Sequence, residues 1–241
     1  GVCRIMLGRT AGQLFWMSRY MERAENMARH LEVAYRMALT PSAGEGHREE
    51  WQSTLTTTGS SDGYFKSHDT ITGKQVVSYL LFDNENPSSI SSIIDQARDN
   101  ARSVRTSITR EMWEAINTTW IELSQMRQEH HAMRELPEIL EWVKRRSSQF
   151  RGATMGTFPL NDSYFFSQLG TFIERADNTA RILDTKYYVL LSKEESIGGE
   201  VDTYQWQSIL RSVSAHRSYR WMYSEGLKPW RVAEMLILRK E

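Results

Sequence analysis

Residues 20–29 read YMERAENMAR, and residues 172–181 read FIERADNTAR. Ala, Met, Glu and Arg are good helix formers, and neither stretch contains Gly or Pro, so each phrase reads as one continuous helix. Over residues 22–29 and 174–181, six of eight positions are identical, and Glu25 answers to Asp177. With Glu22 set on Glu174, the register continues outward: Met17 meets Leu169, Tyr20 meets Phe172, Leu31 meets Leu183 and Tyr35 meets Tyr187. Two unrelated amphipathic helices rarely share both their polar and their small positions. The chain therefore reads as a helical bundle of two related halves, packed about a pseudo-two-fold axis, with the repeat at 10–39 and 162–191. ARDNAR at 97–102 echoes the phrase but lacks the Glu-Arg pair and shifts the Asn, so it is not counted as a third copy.

Helical geometry sorts the phrase into faces. Ala24 and Ala28, like Ala176 and Ala180, lie four apart and present a small-residue surface on which another helix can come close. Glu22, Asn26 and Arg29 form a polar stripe, repeated by Glu174, Asn178 and Arg181. Arg23 and Arg175 stand about 100° around the helix from their neighbouring glutamates. Adjacent Glu and Arg thus face different ways, and their partners belong on other helices. The reading that follows has the two motif helices crossing near their alanines, Glu22 paired with Arg175 and Arg23 with Glu174. Such charges either lock the packing or hold a ligand, since strongly paired buried charges occur in both settings. Locking is the preferred reading.

The remaining sequence is helical in pattern. The first helix is expected over 10–39 with Thr10 as its cap, then helices over 49–57, 72–82, 89–118, 120–131, 136–150, 163–191, 203–223 and 230–239. GSSDG at 59–63 reads as a turn, DNENPSSI at 83–90 as a helix start, and RGATMGTFP at 151–159 and SIGGEVD at 196–202 as loops. No alternating strand pattern with hairpin turns occurs. The fold class is all-α, a single helical domain over 1–241.

Composition narrows the function classes. The 241 residues are 40% hydrophobic and 25% charged, and 30 Lys plus Arg balance 30 Asp plus Glu. No bulk field draws such a chain to nucleic acid or an anionic membrane. Lys144, Arg145 and Arg146 read as a solvated helix end rather than a basic patch. Cys3 is the only cysteine, so neither an internal disulfide nor a thiolate metal cluster is expected. The densest apolar run, YYVLL at 187–191, is far too short to span a bilayer, and residues 1–30 do not read as a signal peptide. A cytoplasmic protein without membrane or nucleic-acid partners is expected.

Common chemical signatures are missing. None of the six histidines follows Asp or Glu by three positions, as a di-iron bundle requires, and no HExxH or acidic calcium loop occurs. His130-His131 reads as an exposed helix end. There is no GxxxxGK[ST], no GxGxxG after a strand and no GxSxG, so no metal and no cofactor are expected. Trp113 and Trp120, seven apart, read as core; Trp230, after Pro229, reads as opening a helix.

Several ordered phrases resemble the bacterial Alpha-E family: MLGRTAGQLFWMSRYMERAENMAR, DNENPSSISSIIDQARDNARSVR, MWEAIN, FFSQLGTFIERADNTARILDTKYY, GGEVDTYQW and PWRVAEMLIL. The resemblance covers most of the chain and implies an all-helical fold whose named Glu-Arg motif is Glu22-Arg23 and Glu174-Arg175. The family's pattern continues past PWRVAEMLIL, and residues 1–5 precede a natural-looking start at Met6. The resemblance also implies partners, a circularly permuted ATP-grasp protein and a transglutaminase-like protein, in systems that make peptide-like amides. The expected role is an accessory protein that binds the ligase or its substrate, with Arg23, Arg29, Arg175 and Arg181 favouring carboxylate or phosphate. The alternatives are an enzyme using Glu22 or Glu174 as general acid or base, and a purely structural module. Glutamates open to a pocket favour the enzyme; glutamates consumed by arginines favour the accessory role.

Overall fold

A computed structural model describes residues 8–39, 47–128, 133–185, 200–223 and 226–238. Cys3, Met6, residues 40–46, His130-His131, YYVLL at 187–191 and residues 196–199 lie outside the described residues, and Glu200–Asp202, expected to close a loop, instead begin a helix. The described residues contain no strand. The helices are α1 (Gly8–Ala38), α2 (His47–Thr57), α3 (Ser61–Tyr64), α4 (Gly73–Leu81), α5 (Ile90–Ser103), α6 (Arg110–Met126), α7 (Leu136–Thr157), α8 (Asp162–Thr185), α9 (Glu200–Ser212), α10 (His216–Met222) and α11 (Pro229–Ala233). A 3-10 turn at Met133–Glu135 leads into α7, and a π turn at Glu234–Leu238 continues α11.

Helix α1 is the hub. Its apolar face, with Leu14, Met17, Met21, Ala24, Ala28 and Leu31, is buried, and α8, α5, α7, α2, α9 and α4 all pack on it. The main core joins that face to Ile90, Ile93, Ile94, Ala97 and Ala101 of α5 and to residues of α2, α4, α6 and α7. Each fully buried Leu, Ile or Met side chain contributes about 1.5–3 kcal/mol, so this face accounts for much of the fold's stability. A smaller cluster gathers Ile182 and Leu183 of α8 with Trp206, Ile209 and Leu210 of α9, Tyr219 and Val232.

Local sequence explains most starts and stops. Thr72, Ser89 and Thr109 each accept a bond from the backbone N–H three residues on, at 3.3, 3.1 and 3.3 Å, and so cap α4, α5 and α6. Thr10, expected as a cap, lies inside α1, which already runs from Gly8. GSSDG is not a plain turn. Gly59 takes the left-handed conformation (φ 66°) that ends α2, and Ser61–Tyr64 then makes one helical turn.

Three expected helices differ in extent. The single helix over 89–118 is two, α5 and α6, because Val104 and Ile108 turn into the core and Thr109 caps a new start. Trp120 therefore sits inside α6. Helix α7 runs on to Thr157 through RGATMGT. Two interior glycines cost a helix about 1 kcal/mol each, and the burial of Phe150 and Thr154 on the core side outweighs that cost. The helix over 203–223 breaks at Ser214, whose φ is 61°; Ala215 N–H donates to Leu210 O at 2.7 Å and closes the turn. Ser214→Gly is expected to stabilise the fold by about 1 kcal/mol, the cost of a left-handed L-residue, seen as a higher denaturant midpoint with unchanged slope.

Two smaller readings also change. Lys144, Arg145 and Arg146 lie within α7 rather than at a helix end; Lys144 is bonded to Glu32 and Glu141 at 2.8 Å each, and Arg146 to Glu122. Trp113 and Trp120 are half-buried at the core's edge rather than within it. The Arg98 guanidinium lies 4.0 Å over the Trp120 ring, whose Nε1 donates to Asp95. Trp230 follows Pro229 at the first turn of α11, as expected, and is exposed.

Candidate functional site

The two Glu-Arg phrases meet where α1 crosses α8. Arg23 donates through Nε and Nη2 to the two carboxylate oxygens of Glu174 at 2.6 and 2.9 Å. Arg175 does the same to Glu22 at 2.6 and 3.3 Å. The reciprocal pairing is the one that helical geometry suggested. Glu22 and Glu174 are almost fully buried, 5% and 3% exposed, so the bonds from their partners must offset the cost of that burial.

Each carboxylate has a second cation. Arg19, one turn before Arg23, donates to Glu174 at 2.8 Å, and its guanidinium lies 4.9 Å over Trp16. Arg151 of α7 donates to Glu22 at 3.1 Å and to Glu25 at 2.5 Å. Arg29 closes the chain on Glu25, also at 2.5 Å. Burial by itself would raise the Glu25 carboxyl, but the bonds from Arg151 and Arg29 outweigh it and hold the group below its ordinary range. Burial likewise works against the charge of Arg23, and Glu174 overcomes it.

The other expected residues take lesser places. Arg181 bonds Asp177 on its own helix at 2.9 Å. Asn178 accepts from His30 Nε2 at 2.8 Å across the interface. Asn26 is buried, and its Nδ2 has no hydrogen-bond partner among the described residues. Sequence reasoning missed Arg19, Glu25, Arg151 and His30. Arg19 and His30 were within reach, standing four positions from Arg23 and Asn26 on the same helix. Arg151 was hidden in a segment whose glycines read as a loop.

The alanines do not make the crossing. Ala24 and Ala28 are buried, but Ala176 and Ala180 face outward. A close backbone approach falls at Gly170. A Cβ there would be 3.0 and 3.2 Å from the carbonyl carbon and Cα of Phe15 and still closer to its oxygen. Beside it, the Ser18 and Ser167 hydroxyls are bonded at 2.5 Å.

Two polar cavities flank the ion-pair lattice. One, about 240 Å³, is lined by Arg23, Asn26, His30, Glu174, Asp177, Asn178 and Arg181. The other, about 280 Å³, is lined by Glu22, Glu25, Arg29, Arg151 and Arg175, again with Asn26. In the second, three guanidinium groups surround two carboxylates, leaving one positive charge over. Burial lowers the His30 pKa, opposed in part by its bond to Asn178. A histidine held neutral contributes its full stability above the unfolded value of about 6.5 and loses it as pH falls toward the lower folded value. The melting temperature is therefore expected to fall between pH 7 and 5, and to fall less in His30→Gln, which keeps a donor for Asn178.

Among the described residues, no three His, Cys, Asp or Glu side chains converge as metal ligands, and no helix is long and apolar enough to cross a membrane. In comparison with known proteins, a family model described as a predicted alpha-helical domain with a conserved ER motif matches residues 6–241. No curated protein and no solved structure matches.

Proposed function

The chain belongs to the Alpha-E family, and from that premise we propose that it is a non-catalytic accessory protein of a peptide- or amide-forming system. In this reading it binds a circularly permuted ATP-grasp protein or that protein's substrate, alongside a transglutaminase-like protein, in the cytoplasm where ATP is supplied. Nucleic acid and membrane have no part in it. The observation that carries the reading is the state of the glutamates. Both oxygens of Glu22 and of Glu174 are held by guanidinium groups, so a general acid or base at either position would first have to break a buried ion pair. What remains free for work is the excess positive charge around the 280 Å³ cavity, which suits a carboxylate or phosphate of the bound partner or substrate.

Calorimetric titration with the ATP-grasp protein tests this. The expected result is saturable binding whose affinity weakens as salt rises and drops at least tenfold in Arg29→Gln, a change in the cavity lining. Absence of heat together with absence of co-elution would end the accessory reading. The enzyme reading predicts instead that Glu22→Gln abolishes turnover in a reconstituted reaction while the variant still binds.

A further inference from the structure

The two polar cavities beside the ion-pair lattice are lined by corresponding residues. With Glu22 set on Glu174, the residues Arg23, Glu25, Asn26 and Arg29 fall on Arg175, Asp177, Asn178 and Arg181. The 240 Å³ cavity takes Arg23 from α1 and Glu174, Asp177 and Arg181 from α8. The 280 Å³ cavity takes Arg175 from α8 and Glu22, Glu25 and Arg29 from α1. Asn26 and Asn178 line both. Each cavity also borders the end of a helix that contains Trp-Gln-Ser. Residues 57–59 follow Trp51-Gln52-Ser53 of α2, and residues 212–214 follow Trp206-Gln207-Ser208 of α9. Gly59 and Ser214 both take positive φ there.

The correspondence fails at one charge. In the 240 Å³ cavity Arg23 and Arg181 balance Glu174 and Asp177, and Arg19, the second cation on Glu174, is not part of the lining. In the 280 Å³ cavity Arg151 of α7 joins Arg29 and Arg175 against Glu22 and Glu25, which leaves one positive charge over. Three donors of that lining are unused. Among the described residues, neither Arg151 Nε nor Arg175 Nη1 makes a hydrogen bond, and neither does the buried Nδ2 of Asn26. A buried N–H without a partner works against the fold, so a side chain that keeps one there calls for an acceptor from outside the chain.

We propose that the 280 Å³ cavity binds a single carboxylate with no ammonium group beside it, as at a peptide C-terminus or on an acidic side chain. Asn26 Nδ2 donates to it together with the unused guanidinium N–H groups. Charge decides among the anions that a positive cavity could take. A carboxylate brings one negative charge and neutralises the excess. A phosphate monoester brings about 1.5 to 2 at neutral pH. It would leave negative charge over beside Glu22 and Glu25, which are 5% and 4% exposed and held in place by arginines. A free amino acid brings an ammonium next to its carboxylate, and the two glutamates that could receive it are already bonded to guanidinium groups. The charge-balanced 240 Å³ cavity has no such excess, so one carboxylate binds per chain. The inference rests on the anion-binding role proposed above and narrows it to one chemical group.

The test titrates the isotope-labelled full chain with four small probes at neutral pH and constant ionic strength. It is read by nuclear magnetic resonance from the side-chain N–H signals of Asn26, Arg151 and Arg175. N-acetylglycine offers a terminal carboxylate, the N-methylamide of N-acetylaspartate a side-chain carboxylate, and glycine and inorganic phosphate are the competitors. Saturable shifts are expected with both acylated carboxylates, the tighter of the two naming the source, and binding of glycine and phosphate about tenfold weaker or absent. Asn26→Ala is expected to weaken N-acetylglycine by about tenfold or more. Its melting temperature should stay at or above that of the wild type, because no hydrogen bond within the chain is lost. Phosphate or glycine binding as tightly as N-acetylglycine would overturn the proposal and leave the anion-binding role standing. No shift, or non-saturating shifts from ionic association only, would overturn both. Unchanged binding in Asn26→Ala, or a lowered melting temperature with binding intact, would give Asn26 to the fold and overturn the proposal.

Discussion

Glu174→Ala is expected to destabilise the protein by about 3 kcal/mol, the lower end for removing one partner of a buried ion pair. The reason is what it leaves behind. Arg19 and Arg23 both point at Glu174, with side chains only 16% and 30% exposed. Without the carboxylate, two guanidinium groups face each other in a partly dry interface, and like-charge repulsion adds to the lost bonds. Their exposed edges can recover some hydration, which keeps the cost from the upper end of the range. Glu22→Ala is expected to cost less, because Arg175 is 45% exposed and returns to water more readily. Urea unfolding of the three proteins gives the order directly: wild type, then Glu22→Ala, then Glu174→Ala, with slopes unchanged.

Gly170→Val is the second large effect, again about 3 kcal/mol or more. In an isolated helix a residue with a side chain would be favoured over glycine by up to about 1 kcal/mol. Here the sign reverses, because the new Cβ meets the backbone of Phe15, which cannot rotate away as a side chain could. The helices must separate at that point. Separation stretches the Ser18–Ser167 bond and draws Glu174, one helical turn further along α8, away from Arg19. Gly152→Ala in α7, where an added Cβ meets nothing, is the matched control and should raise stability. If Gly170→Val unfolds no earlier than wild type, the close approach is not where the packing is decided.

How much of this was legible beforehand follows from which physics each feature obeys. The pairing of Glu22 with Arg175 and Glu174 with Arg23 could be read because adjacent residues on a helix diverge by about 100°, so the partners had to be elsewhere, and the repeated phrase supplied them. The all-helical class was equally plain from periodicity. The crossing point was not. Four-residue alanine spacing signals a surface on which a helix can come close, but not that one does: Ala24 and Ala28 lie in the main core, while Ala176 and Ala180 face outward. The break after Val104 follows from the burial of Val104 and Ile108 rather than from any Gly or Pro. Arg151 was hidden because glycine's local preference for turns is overruled by tertiary packing, and with it went half of the charge lattice. The repeated WQS of α2 and α9 lay in plain sight, three residues out of the motif's register, and was missed by aligning on the motif alone.

The central claim is that the two Glu-Arg motifs bind each other across the α1–α8 crossing. A double-mutant cycle on Arg23 and Glu174 tests it most directly, with urea unfolding of the wild type, Arg23→Ala, Glu174→Ala and the double variant. Direct pairing predicts a coupling free energy of about 1.5 kcal/mol or more, since the second substitution costs little once the first has removed its partner. Additivity within about 0.5 kcal/mol, the behaviour of independent sites, would contradict it.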